Sequence, residues 1–175
     1  MLTASALTKS FGGFQALSGC SLEVAAQSIT GIIGPNGAGK STLFNVLGGL
    51  LAPQSGDVVF EGRSILGLRA DERARIGLVR TFQISRALML EPKLILLDEP
   101  TSGVSPAMTE SLGRTIQKLR REGLTFAIIE HDMDVIARLC APIYVLAEGR
   151  TLIRGSFREV ASNEEVMRAY LGKAA

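Results

Sequence analysis

The chain has no tryptophan, one histidine and two cysteines, and its 19 basic residues nearly cancel its 17 acidic ones. A net charge of +2 is too small to point to nucleic acid, and no basic stripe with interleaved aromatics accompanies it. Arg114, Lys118, Arg120 and Arg121 read instead as the solvated face and C-terminal end of one helix. Cys20 and Cys140 stand in apolar, strand-like surroundings, far apart and outside any C-x-x-C pattern, which predicts two reduced, packed thiols. The apolar stretches, such as Leu94–Leu97, fall far short of the roughly 18 residues needed to span a bilayer. The N-terminus has no charged-then-apolar leader pattern. These absences predict a soluble, cytoplasmic chain with no transmembrane segment of its own and no nucleic-acid partner, and they leave a peripheral place on a membrane open.

What is present is enough apolar residue for one core. At 175 residues, 46% hydrophobic and 21% charged, the chain is long enough for a single α/β domain over residues 1–175. Gly34, Pro35, Asn36, Gly37, Ala38, Gly39, Lys40 and Ser41 match the G-x-x-x-x-G-K-[ST] phosphate loop, whose four fixed positions arise by chance in a chain of this length on the order of once in a hundred sequences. A short apolar strand, Ser28–Ile33, precedes the loop. An apolar helix beginning at Thr42 follows it and turns its positive end toward the phosphates. In such a loop the glycines let successive N–H groups face the β-phosphate, Lys40 reaches the β and γ oxygens, and the Ser41 hydroxyl ligates Mg²⁺. The expected ligands are ATP and Mg²⁺.

Around the loop, alternating patterns at Leu17–Val24 and Asp57–Phe60, with turns at Gly12-Gly13 and from Pro53 to Gly56, predict short antiparallel strands. Downstream, Leu94–Leu97, Thr125–Ile129 and Ile143–Leu146 are continuous apolar runs, as in parallel strands buried on both faces. Ser105-Pro106 opens a helix with a cap and an N1 proline, and Asp132 caps another ending near Leu139. Two capping boxes, Ser156 to Glu159 and Ser162 to Glu165, start two C-terminal helices.

Ligands of open α/β sheets bind beyond the carboxyl ends of the strands, so polar residues directly after apolar strands are candidates. Gln83, the Asp98-Glu99 pair and His131 occupy such places. Pro100 argues against a helix start at the pair, because it pushes Glu99 out of the α region. Phosphoryl transfer to water needs positioning, charge neutralisation and an oriented nucleophile. Asp98 would hold Mg²⁺ through coordinated water, Gln83 would add a neutral oxygen ligand, Glu99 would serve the attacking water, and His131 would contact the γ-phosphate.

These motifs resemble the nucleotide-binding subunits of ATP-binding cassette transporters. The phosphate loop through Thr42, the Arg80-Thr-Phe-Gln83 segment, Leu96 to Thr101, the turn from Ser102 to Pro106, and Ile129 to Met133 occur in that family's order. The details of Arg80–Gln83, Glu130–Met133, Gly155–Val160 and Ala169–Gly172 look most like its branched-chain amino acid uptake branch; ATPases of lipid and lipopolysaccharide exporters are similar. The resemblance implies a RecA-like P-loop NTPase core with a parallel sheet and an N-terminal antiparallel β-subdomain. It also implies ATP hydrolysis coupled to transport, a second ATPase subunit (the same chain or a different one), membrane permease subunits, and a peripheral place on the inner face of the membrane. Phe11 falls where the family stacks an aromatic ring on adenine.

Two departures stand out. Ser105 replaces the acid or amide usual before the proline of its turn. The larger departure is an absence: the family's helical subdomain and serine-glycine-glycine signature are missing, since Gln83 and Asp98 are only 15 positions apart. Ser85–Pro92 looks like the tail of the helix that follows the signature, which puts a junction or a missing segment between Gln83 and Ala87.

Overall fold

Alternating and continuous apolar runs sort the strands into two sheets. The computed structural model describes residues 1–81 and 84–171. The chain opens with β1 (Leu2–Phe11) and β2 (Phe14–Val24), an antiparallel hairpin turned at Gly12-Gly13. Next come β3 (Ile29–Ile33), the phosphate loop and helix α1 (Lys40–Leu47). They are followed by β4 (Ser55–Phe60), β5 (Arg63–Ser64), α2 (Ala70–Arg75), β6 (Leu78–Thr81) and α3 (Ile84–Leu88). The remainder alternates: β7 (Leu94–Asp98), α4 (Pro106–Arg121), β8 (Thr125–Ile129), α5 (Met133–Leu139), β9 (Ile143–Ala147), β10 (Arg150–Gly155), α6 (Phe157–Ala161) and α7 (Glu164–Leu171).

One sheet is antiparallel, in the order β2-β1-β4-β5. The other runs β10-β9-β3-β8-β7-β6, parallel except for its antiparallel edge strand β10. This is the P-loop α/β core with an antiparallel β-subdomain that the motifs imply. The three long apolar runs are interior strands, each buried along its whole length. Because side chains alternate across a strand, β7 sends Leu94 and Leu96 into the core shared with α1 and the antiparallel sheet. Ile95 and Leu97 enter the core shared with α4 and α5, and β8 divides Ala127 and Ile129 from Phe126 and Ile128 in the same way. Each such side chain stabilises the fold by roughly 1.5–3 kcal/mol relative to exposure, so the two-faced strands fix the sheet on which the site is built.

Local signals act mostly where the sequence placed them. Ser105 caps α4 by accepting from Met108 N with Pro106 at N1, and Asp132 caps α5 by accepting from the amides of Asp134 and Val135. Ser156 and Glu159 form the first capping box. The second does not form at Ser162: α7 begins one residue later than expected, with Asn163 accepting from Glu165 N and Val166 N. Ser162 is the C-cap of α6, where its hydroxyl donates to Glu159 O, so the neighbouring amide takes over as the cap of α7. Ser55 and Gly56, read as turn residues, belong to β4. Arg114, Lys118, Arg120 and Arg121 are exposed on α4, and both cysteines are buried free thiols.

Helix α2 carries a buried charge with no sequence signal. The Arg73 guanidinium, 1% exposed, donates to the carbonyls of Val46 and Leu47 at 2.7 Å each, Ile65 at 2.8 Å and Leu68 at 3.0 Å. It thereby closes the last turn of α1, whose final carbonyls have no partners within the helix.

Candidate functional site

The carboxyl ends of β3, β7 and β8 lie together because the three strands are hydrogen-bonded neighbours, with Ile32 and Asp98 both in register with Ile129. The loop after β3 is tight. Gly34 has φ 152° and Gly39 φ 98°, and a Cβ at either would lie 2.2 Å from Leu146 O or 2.3 Å from Ala16 O. Only glycine fits those two backbone positions. Lys40, the first residue of α1, is buried and turns back on its own loop, with Nζ donating to Gly34 O at 2.7 Å and Pro35 O at 3.0 Å. Burial lowers the pKa of this ammonium, while the charges of Glu99 and Asp98 oppose that shift. Asn36, Gly37 and Ser41 are exposed, Pro35 and Thr42 half-buried and Ala38 buried. The exposed backbone of the loop faces a cavity of about 200 Å³ whose walls include Phe14, Lys40, Ser41, Glu99 and His131.

Glu99 and His131, far apart in sequence, meet over that cavity: His131 Nε2 lies 2.7 Å from Glu99 Oε1. Glu99 is held in the left-handed region, φ 48°, by its own amide, which donates to Ile129 O at 2.9 Å. A non-glycine residue there stores on the order of 1–3 kcal/mol, a cost typical of functional loops. Asp98 is nearly buried, and its Oδ2 accepts from Arg80 Nη2 at 2.7 Å. Gln83 lies outside the described residues.

The structure adds residues that sequence reasoning passed over. Glu130, 3% exposed, accepts from Thr101 N at 2.8 Å, Thr101 Oγ1 at 2.6 Å and His131 N at 3.1 Å. It thus ties the loop after β7 to the loop after β8. Its partner is 29 positions away, so no local pattern marks it. Phe14, not Phe11, lines the phosphate-loop cavity and an adjoining one of about 340 Å³. The two rings are cross-strand partners at the hairpin tip, and Phe11 lies beneath Lys9 Nζ, 5.6 Å from its ring centre.

The donors suit Mg²⁺. Among the described residues no three His, Cys, Asp or Glu side chains form a metal cage. Ser41 and the Glu99 carboxylate wall the phosphate-loop cavity together, an oxygen-only set of the kind that Mg²⁺ shares with substrate phosphates. A larger cavity, about 860 Å³, opens on the other side of Glu99 and is walled by Ile84, Ser85, Asp98, Val104 and Met108. The end of α3 and the turn after it expose Leu88, Met89 and Leu90. Between Ile84 and β7, the only described helix is the five-residue α3.

Residues 17–83 match the sequence profile of the family described as "ABC transporter". The high-affinity branched-chain amino acid transport ATP-binding protein LivG of Salmonella typhimurium is 28% identical over 251 residues, covering 99% of this chain and 98% of LivG. Its counterpart BraF of Pseudomonas aeruginosa is 29% identical with the same coverage. A nucleotide-free ATP-binding cassette from an ABC transporter superposes with a TM-score of 0.95 at 27% identity, covering 99% of each chain. Along its whole length this chain is similar to ATP-binding cassettes, and residues 17–83 carry the match to their family. The family's activity is ATP hydrolysis coupled to transport. A related cassette solved in its ADP conformation matches with a TM-score of 0.93 at 28% identity, covering 99% of each chain, so nucleotide binding belongs to this architecture. The aligned span of 251 residues exceeds the 175 of this cassette by 76. LivG and BraF therefore carry residues within that span that this cassette does not, and the profile match stops at residue 83.

Proposed function

We propose that this cassette is the ATP-binding subunit of a branched-chain amino acid transporter. The reading rests chiefly on the meeting of Glu99 and His131 at 2.7 Å above an intact phosphate loop, in a chain related along its length to LivG and BraF. Lys40 binds the β and γ phosphates by exchanging its two carbonyl partners for phosphate oxygens. The exposed amides of the loop and the α1 N-terminus bind the same group. Ser41, Asp98 and Gln83 would hold Mg²⁺, which would supply charge neutralisation to the bound phosphates. Glu99 orients or deprotonates the attacking water, with His131 fixing the carboxylate and contacting the γ-phosphate. An aromatic ring at the hairpin tip, Phe11 or Phe14, stacks on adenine. The subunit pairs with a second ATPase subunit and docks on permease subunits at the cytoplasmic face of the membrane.

A second reading, a nucleotide-binding module with slow turnover, is favoured by one observation: the 76-position deficit against LivG. Calorimetric titration with ATP and Mg²⁺, followed by phosphate release from the same sample, tests both. Tight binding with turnover supports the first reading and tight binding without it the second. Absence of nucleotide binding overturns both.

A further inference from the structure

Arg80 touches no cavity of the site, yet its guanidinium joins two of the elements that build it. Nη2 donates to Asp98 Oδ2 at 2.7 Å, and Nη1 donates to Asn45 Oδ1. Asn45 stands on α1, five residues after Lys40, and Asp98 ends β7. Arg80 itself stands on β6, in register with Leu96 of β7, three residues before Gln83. The side chain is only 16% exposed. Its stem runs along the end of α1, where a Cβ on Gly48 would lie 3.4 Å from Arg80 Cδ. A surface ion pair would be worth little; this one is enclosed, and both ends of its fork are engaged.

We propose that Arg80 is a positioning residue for the magnesium carboxylate: it fixes Asp98 through Oδ2 and, by holding Asn45 with its other arm, sets the distance between that carboxylate and the phosphate-loop helix. The inference rests on the reading of Asp98 as the Mg²⁺ carboxylate. A lysine would keep the charge but could not span Asn45 and Asp98 together, because an ammonium has no planar fork. The alignment of Asp98 with phosphates bound at Lys40 and Ser41 is then a property of the Asn45–Arg80–Asp98 chain rather than of Asp98 alone.

The test uses a fluorescent ATP analogue titrated onto the protein, first in EDTA and then with increasing Mg²⁺. Arg80→Lys should raise the Mg²⁺ midpoint about five- to tenfold, the scale of one lost charge-assisted hydrogen bond, and leave affinity in EDTA within about twofold. Asn45→Ala should raise the midpoint in the same direction. The double variant should be no worse than the stronger single one, because the three residues act as one network. An unchanged midpoint in Arg80→Lys overturns the inference, as do effects that multiply or an equal fall of affinity in EDTA. If Arg80→Lys does not fold, Asn45→Ala decides alone, and an unchanged midpoint there overturns it. Asp98→Asn separates the two levels: if this variant leaves the midpoint unmoved, the underlying reading of Asp98 fails; if it moves the midpoint while Arg80→Lys does not, only the role of Arg80 fails.

Discussion

The two sides of Glu99 differ sharply. On one side, the phosphate loop is closed on itself: glycines pressed against Leu146 and Ala16 carbonyls, Lys40 bonded to its own loop, and a helix finished by Arg73. On the other, a five-residue helix leads to exposed Leu88, Met89 and Leu90 beside a cavity about four times larger than the one over the loop (860 against 200 Å³). In the proposed function the phosphate contacts come from the first side, while Asp98, the proposed magnesium carboxylate, stands in the wall of the second. The contrast separates holding a nucleotide from turning it over, and each half can be tested without the other.

The largest effect should come from rebuilding the open side. Inserting, between Gln83 and Ala87, the helical subdomain that the family resemblance leads one to expect there should raise steady-state ATP turnover at least about 100-fold, on the scale of a restored set of transition-state contacts, and change nucleotide affinity only a few-fold. Phosphate-release kinetics on both forms check it, and equal rates would erase the distinction between the two sides. In the rebuilt form, Glu99→Gln should keep ATP bound and lower kcat by about 10²–10⁴, the range for loss of a general base.

Lys40→Ala attacks the closed side. It should weaken ATP by about 100-fold by calorimetry, as expected for a lost charge-assisted phosphate contact, and shift the thermal midpoint little, because it also removes a buried ammonium. An affinity within threefold of the parent would show that the loop amides suffice.

A smaller effect is expected at the exposed turn. Met89→Glu, at a side chain 84% exposed, should alter stability by less than about 0.5 kcal/mol. It should also reduce self-association in sedimentation velocity if the apolar turn is sticky, as exposed apolar clusters are.

A last effect, absent at neutral pH, should appear only in alkaline solution. Burial pushes the Cys140 thiol from 9.0 to about 12, with the Glu130 charge adding to the shift, and burial raises Cys20 in the same direction. The native state keeps protons that the unfolded chain releases above pH 9. The stabilisation is therefore complete below that pH and is lost as the pH climbs toward 12. Cys140→Ala should flatten part of the alkaline fall in denaturation midpoint, with Cys20 accounting for a remainder.

What the sequence disclosed follows the range over which each feature is determined. β7, β8 and β9 were legible because burial on both faces demands unbroken apolar runs, and the phosphate loop because its backbone admits only certain residues. Ser105 and Asp132 were legible because capping is decided within three residues. β10 was passed over as an edge strand with half-exposed residues, and Asn163 displaced Ser162 because two adjacent residues can each cap and helix packing chooses between them. The partners of Arg73, Arg80 and Glu130 lie 18 to 35 positions away for the contacts that matter, beyond any periodicity. Whether Phe11 or Phe14 faces the loop depends on how a hairpin tip leans, which composition does not encode.

Arg73 also bears on how far this nucleotide site could be transplanted. The stretch from β3 through α1 looks like a portable unit of strand, loop and helix, yet the helix ends on carbonyls answered by a guanidinium 26 and 27 positions further along. A graft that stopped at Leu47 would leave those carbonyls to water or to the apolar interior of its new host. The smallest piece that brings its own ending therefore extends through α2, and the intervening strands β4 and β5 must travel with it.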